Sequence, residues 1–345
     1  MVFTTNYLRV VAAATATAAA LIVACEVGFL VMSAKHKSRE IRDLYLNPAK
    51  QAIRAPRIVP DPDDEIRHTQ SKRQATLDKE CRRIGYPTEV PEYTAKHIFV
   101  IEKYRLVYCF IPKVGCSNWK RILMVLDEQV DAVDGLTSDE VHIKSHFKFL
   151  SSYPPDEQEK ILRTYQKFVF VRHPFERLVS VFRNKFEDLE YYRHNRFFHP
   201  FAREIIKEWR PRATNEARTT GENVTWEEFV KYLTHTVKRA PFEARRSIHF
   251  SDHWREMVSI ASPCEVDYNF IGKLEHVSTE SKYLLRKWGV EDRVSYPGSE
   301  TSRPTNSSSM YESYFRRLPR KDLLKLWSIY RKDFYFFGYK KPPYI

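Results

Sequence analysis

Glycine is scarce in this chain, at 9 of 345 residues. Few positions can therefore take left-handed backbone without strain, and the composition suits a packed body rather than a flexible one. No GxxxxGK[ST] string occurs, which excludes a Walker A phosphate loop. The 5 cysteines form no CxxC pair and no Cys/His cluster at zinc spacing, so no structural metal is expected. There is no internal repeat.

Against these absences stand aromatic residues and positive charge. The chain has 22 Phe and 20 Tyr, and 43% of it is hydrophobic, enough for a substantial core. Its formal net charge of +13 favours an anionic partner, whether nucleic acid, acidic polysaccharide, phospho-ligand or anionic membrane.

From Val10 to Ala34 the only charged residue is Glu26, in a run long enough to span a bilayer. Val31-Met32-Ser33-Ala34 offers a small-residue processing site, but the run exceeds a usual signal core, so an uncleaved anchor is expected. Lys35, Lys37 and Arg39 follow the run and only Arg9 precedes it, which by the positive-inside rule places the body in the cytoplasm. Two sequons, Asn223-Val224-Thr225 and Asn306-Ser307-Ser308, point instead to a glycosylated luminal body. With Cys25 in the apolar run, four cysteines remain, an even number that permits disulfides in an oxidising compartment.

Residues 35–80 are polar and punctuated by Pro48, Pro56, Pro60 and Pro62, which reads as a stem with some helix near its end. The folded domain is expected to begin around Tyr93. His97–Ile101 and Leu106–Ile111 read as strands joined by a tight connection, and Phe168–Val171 as a buried strand. Phe175, Leu178, Val179, Phe182 and Phe186 line one helical face. Asp156 with Glu159, and Thr225 with Glu228, read as capping pairs. Leu323, Leu326, Trp327, Tyr330 and Phe334 predict a C-terminal amphipathic helix. Strands alternating with helices imply an α/β fold with a mainly parallel sheet.

The first chemical motif follows the strand Leu106–Ile111. Pro112-Lys113-Val114-Gly115-Cys116-Ser117-Asn118 leads into the helical Trp119-Lys120-Arg121. A strand feeding a turn and a helix start offers unpaired N–H groups and the positive end of the helix dipole, a ready anion site. Gly115 allows close backbone approach, Lys113 supplies a point charge and Ser117 a hydroxyl. The second motif is Arg172-His173-Pro174-Phe175-Glu176-Arg177-Leu178-Val179-Ser180. Arg172 at a strand end can grip phosphate with paired hydrogen bonds, Pro174 suits a first helical position, and Ser180 adds a hydroxyl two turns in.

Together these two strings resemble the Golgi carbohydrate sulfotransferases of the HNK-1 type, which include chondroitin and dermatan 4-O-sulfotransferases. The resemblance extends over roughly residues 80–340 (about three quarters of the chain), through Arg183-Asn184-Lys185-Phe186, His253-Trp254, Pro263-Cys264 and Phe270–Glu275. Two departures stand out. The residue after Arg172 is usually acidic in these enzymes and is His173 here, and the family's second cysteine before the Pro-Cys pair is replaced within Ile260-Ala261-Ser262. The second departure leaves the disulfide pattern open, with Cys81–Cys264 as one option.

The resemblance implies a P-loop sulfotransferase fold, with a central mainly parallel sheet flanked by helices behind an N-terminal transmembrane helix. It implies a cytoplasmic tail at 1–9, a signal anchor at 10–34, a luminal stem at 35–80 and a catalytic domain at 81–345. The location would be the Golgi membrane, single-pass and type II, with the catalytic domain luminal. The co-substrate would be 3′-phosphoadenosine 5′-phosphosulfate, with no metal, and the partner a glycan rather than nucleic acid. Lys113, Ser117 and Asn118 would hold the 5′-phosphosulfate, and Arg172 and Ser180 the 3′-phosphate. His142, ahead of His146, would be the general base. An acidic glycosaminoglycan would run along basic groups such as Lys238-Arg239, Arg245-Arg246, or Arg316-Arg317 with Arg320-Lys321. The rivals are a P-loop kinase, which lacks its Walker loop here, and a non-catalytic glycosaminoglycan-binding membrane protein.

Overall fold

The computed structural model describes residues 61–85, 89–239, 251–298 and 307–345, together with parts of a helical stretch between 28 and 38. Most of the apolar N-terminal run, the basic pair Arg245-Arg246 and the sequon residue Asn306 lie outside the described residues. No helix among the described residues is long and apolar enough to cross a membrane. Residues 62–345 form one compact unit.

The sheet has five strands in the order β3-β1-β2-β4-β5, with β1 Ile98–Ile101, β2 Leu106–Cys109, β3 Lys148–Phe149, β4 Gln166–Val171 and β5 Phe270–Lys273. It is mixed, not mainly parallel. β2, β4 and β5 run parallel, while β1 is antiparallel to both β2 and β3. The reason is local: Glu102–Tyr104 makes a single 3₁₀ turn ending on Arg105 at φ 51°, too short for a crossover, so β1 and β2 close as a hairpin. Parallel pairing begins only where helices separate the strands.

All three parallel strands end at the same edge of the sheet, with Cys109 beside Val169 and Val171 beside Lys273. Ligands of open α/β sheets bind beyond such carboxyl ends. Gly272 is required within β5, since a Cβ there would lie 2.3 Å from the Phe170 ring.

The helices that matter are α1 Pro62–Ile84, α2 Cys116–Leu126, α3 Ser138–Lys144, α4 Pro174–Phe182, α5 Trp226–Arg239, α6 Val277–Lys287 and α7 Arg320–Phe336. The compact unit therefore begins at Pro62, earlier than the expected boundary at residue 81, and α1 belongs to it rather than to a stem. On β5, at the edge of the sheet, α1 supplies the missing neighbour. Gln70 donates to the Ile271 carbonyl at 3.1 Å and accepts from its N–H at 3.0 Å, and Arg73 pairs with Glu280 at 2.6 Å. Side chains thus satisfy an edge that would otherwise expose its ladder. Cys81 is disulfide-bonded to Cys264, with Cα atoms 5.6 Å apart, while Cys109 and Cys116 are free and buried.

Two apolar cores form. One sandwiches the sheet, with Trp119, Phe168 and Phe170 at its centre. The other is helical and packs Phe175, Leu178 and Phe182 of α4 against Phe229, Trp254 and Phe334. Thr225 and Glu228 form the expected reciprocal cap, at 2.9 and 3.2 Å. Asp156 and Glu159 do not. That helix opens on Pro154 and Pro155 with no side-chain cap, because proline at the first position already sets φ and lacks the N–H.

Candidate active site

An open cleft of about 2200 Å³ lies over the carboxyl edge of the parallel strands. Its first wall is the loop from β2 to α2. Gly115 takes φ 87° just before α2, and no side chain caps that helix start. A Cβ at Gly115 would meet the Tyr296 hydroxyl at 2.5 Å, so both conformation and space demand glycine. Lys113 adopts φ 70°, an unusual conformation for a residue with a side chain, and its ammonium donates to Asn184 Oδ1 at 2.9 Å. Burial, helped by Lys185 and Arg172, pushes the Lys113 pKa down to about 7. Asn118 is held on both sides. Its Oδ1 accepts from Arg121 at 2.6 Å and its Nδ2 donates to the Pro297 carbonyl at 3.3 Å, so its side chain braces the loop.

The second wall is the end of β4 and the start of α4. Arg172 is buried and donates to the Lys113 carbonyl at 3.4 Å, with Glu176 3.9 Å from its guanidinium. The two motifs are thus in direct contact. Arg172, just beyond β4, and Glu176 and Ser180, four residues apart on one face of α4, line the cleft. The rest of the second string, expected as a continuous binding stretch, does not line the cleft. His173 accepts from the Glu176 N–H at 3.4 Å and packs against Tyr311, Phe334 and Tyr339. Pro174 occupies the first helical turn, and Phe175, Leu178 and Val179 belong to the helical core. Val114 in the first loop is likewise fully buried in the sheet core.

Arg177 does not line the cleft either, but it sets the cleft's shape. It is 1% exposed and donates to three backbone carbonyls: Pro112 at 2.9 Å, Arg255 at 2.6 Å and Asp252 at 2.7 Å. One fork ties the first loop to the segment 251–258. A buried guanidinium is tolerated only with such compensation.

His142, on α3, reaches the cleft. Lys120 Nζ lies 3.0 Å from its Nδ1, and Ser117 Oγ lies 3.1 Å from its Nε2. Its ring opens toward the cleft, yet the surrounding protein and the cations Lys120, Lys185, Arg121 and Lys113 push its pKa down to about 4. His146 does not line the cleft; its backbone N–H donates to Gln129. Arg316, Arg317, Arg320 and Lys321 are exposed and away from the cleft lining, and Asn223, at φ 61°, lies just ahead of α5.

Several cleft residues carried no role in the sequence reading. Lys185 stands over the rings of Tyr191 and Phe198, at 4.3 and 4.8 Å. Tyr296 closes over Gly115, and Leu274, Ser278 and His253 also line the cleft. Only the short strings Arg183–Phe186 and His253-Trp254 hinted at two of them. Among the described residues no group of His, Cys, Asp and Glu is arranged to hold a metal ion.

A sulfotransferase family model matches residues 96–340, which covers both walls of the cleft. This chain belongs to the sulfotransferase family. Carbohydrate sulfotransferase 11 of Rattus norvegicus is 36% identical over 269 residues, covering 76% of this chain and 71% of that protein. Carbohydrate sulfotransferase 9 of Homo sapiens is 33% identical over 281 residues, covering 79% of this chain and 60% of that protein. Carbohydrate sulfotransferase 10 of Xenopus laevis is 32% identical over 268 residues, covering 75% of this chain and 71% of that protein. No solved structure matches.

Membership of the sulfotransferase family implies 3′-phosphoadenosine 5′-phosphosulfate as sulfate donor. Such a donor carries anions at both ends of a nucleoside. The cleft fits that demand, offering an uncapped helix start with Lys113 on one wall and a buried arginine with Ser180 on the other.

Two measurements probe this sulfotransferase cleft. Arg177→Met should lower unfolding stability by about 3 kcal/mol or more, because buried carbonyls lose their donor; a denaturant midpoint matching wild type would contradict the clamp. Lys113 is largely neutral above pH 7 in the free protein, and an anionic nucleotide favours its charged form. Affinity for adenosine 3′,5′-bisphosphate should therefore weaken between pH 7 and 9, by up to about tenfold per unit, with proton uptake on binding. Calorimetry at pH 8 in buffers of different ionisation enthalpy should show that uptake in wild type and not in Lys113→Met. Equal uptake in both would contradict the role of Lys113.

Proposed function

We propose that this chain transfers the sulfuryl group of 3′-phosphoadenosine 5′-phosphosulfate to a sugar hydroxyl, the 4-O position of N-acetylgalactosamine in chondroitin or dermatan. The observation that carries the reading is the contact of Arg172 with the Lys113 carbonyl, which joins two anion-binding elements in one cleft. In this reading Lys113, Ser117 and the first N–H groups of α2 hold the 5′-phosphosulfate. Arg172 and Ser180 take the 3′-phosphate and fix the register of the donor. Asn118 acts through its place in the loop, because its side chain is engaged by Arg121 and Pro297. Sulfuryl transfer is an in-line displacement promoted mainly by positioning and charge. Lys113 would offset the charge that grows on the bridging oxygen as the S–O bond breaks.

His142 joins the donor loop through Ser117 and Lys120. An ammonium can only donate, so Nδ1 accepts from Lys120, which leaves the neutral ring with its proton on Nε2, facing Ser117. To serve as general base toward an acceptor, His142 would have to release one of these partners.

The carbohydrate acceptor is supported by the names of the relatives, and the 4-O position by the Phe175–Leu178 and Arg183–Phe186 strings. The net charge of +13 suits an acidic glycan. A Golgi membrane setting, with the catalytic body luminal, is supported by the Cys81–Cys264 disulfide, a bond that persists in oxidising compartments. The apolar run 10–34 would be the anchor.

The test is transfer of radiolabelled sulfate from the donor to desulfated chondroitin, desulfated dermatan and N-acetylgalactosamine-terminated or HNK-1-type glycans, followed by disaccharide analysis. Label at the 4-O position of chondroitin or dermatan is expected. Label confined to the other glycans would overturn the acceptor, and no donor-dependent incorporation at all would overturn the reaction.

A further inference from the structure

We propose that His253, rather than His142, takes the proton from the acceptor hydroxyl. The proposal rests on the sulfotransferase reading above.

The two cleft histidines differ in what their nitrogens can do. Both ring nitrogens of His142 have partners on α2, Ser117 and Lys120. In His253 only Nδ1 is engaged, 3.1 Å from Ser251 Oγ, and no partner for Nε2 is found among the described residues. If Nδ1–H donates to Ser251, the Nε2 lone pair remains for a substrate proton. The ring lines the same cleft as Lys113 and Lys185. Phe198 stands edge-on to it at 5.1 Å, fixing its plane. Burial and the cations Lys185, Lys113 and Arg177, opposed by the Asp252 carboxylate, keep the free imidazole neutral and so able to accept.

The segment carrying His253 is also held unusually firmly for a connection between helices. Arg177 binds the Asp252 and Arg255 carbonyls, and Tyr330 donates to the Trp254 carbonyl at 2.5 Å. Asp333 accepts from the N–H groups of Met257 and Val258, at 2.9 and 2.8 Å. His97 Nε2 lies 3.0 Å from the Asp252 carboxylate. Since Arg177 also grips Pro112, the position of His253 is set relative to Lys113 by a single guanidinium. A general base needs this kind of fixed placement against the reacting centre.

The acceptor oxygen forms its bond to sulfur as its proton passes to His253 Nε2. The bond from sulfur to the bridging phosphate oxygen breaks, and the electron pair leaves on adenosine 3′,5′-bisphosphate, beside Lys113. The imidazolium then returns its proton to solvent.

The test uses His253→Asn and His253→Gln in the full chain, each checked for a wild-type melting temperature, so that a variant that fails to fold is set aside for the other. Sulfate transfer should fall about 10²- to 10⁴-fold. Adenosine 3′,5′-bisphosphate affinity by calorimetry should stay within about threefold of wild type, a uniform-binding criterion that separates chemistry from donor capture. The acid limb of the pH–rate profile should disappear. Retention of more than about a tenth of wild-type turnover would overturn the proposal on the same catalytic scale, as would a parallel collapse of nucleotide binding. Wild type that neither binds the bisphosphate nor transfers sulfate would instead overturn the sulfotransferase reading, and this proposal with it.

Discussion

The site depends on the Arg177 fork. One buried guanidinium holds the carbonyls of Pro112, Asp252 and Arg255, residues that begin the donor loop and flank His253. The parallel strands bring their carboxyl ends to one edge, but that alone gives only a crevice. Arg177 sets the distance between its walls. The planar, five-donor geometry of arginine suits this task and the point charge of lysine does not.

The cleft is also electrostatically unfinished without a ligand. Burial first, and then neighbouring cations, lowers the protonation of both Lys113 (beside Lys185 and Arg172) and His142 (beside Lys120 and Lys185). Such mutual repulsion is costly in the free protein and is relieved by an anion carrying several charges. A donor with phosphate at one end and phosphosulfate at the other answers that need. Left-handed backbone at Lys113 adds to the same picture, since strain of this kind persists only where the surrounding structure enforces it.

Much of this was readable in the sequence where the chemistry lies in contiguous strings. The loop Pro112–Asn118, Arg172 and Ser180 could be singled out because a strand, a turn and a helix start follow one another directly. Their continuation could not be parsed as well. On α4 the helical period sends only Glu176 and Ser180 into the cleft, and His173 became a helix cap packed among aromatic rings. Residues contributed by distant segments gave almost no local sign. Tyr296 earns its place by closing on Gly115 across 181 residues of chain, and His253 by the grip of Arg177 and Tyr330. The mixed character of the sheet was only half legible. The tight connection after His97–Ile101 already implied a hairpin, whereas the alternation of strands and helices elsewhere suggested a mainly parallel sheet. Helix α1 looked like stem because its surface is highly charged, while Gln70 and Arg73 use polar groups to cover the edge of β5.

The central claim is that the two motifs bind opposite ends of one nucleotide. It is tested most directly by a crystal structure of the protein with adenosine 3′,5′-bisphosphate. The account predicts the 5′-phosphate against the start of α2 with Lys113 and Ser117, and the 3′-phosphate within hydrogen-bonding reach of Arg172 and Ser180. A nucleotide bound in the reverse direction, or with its 3′-phosphate away from Arg172, would contradict it.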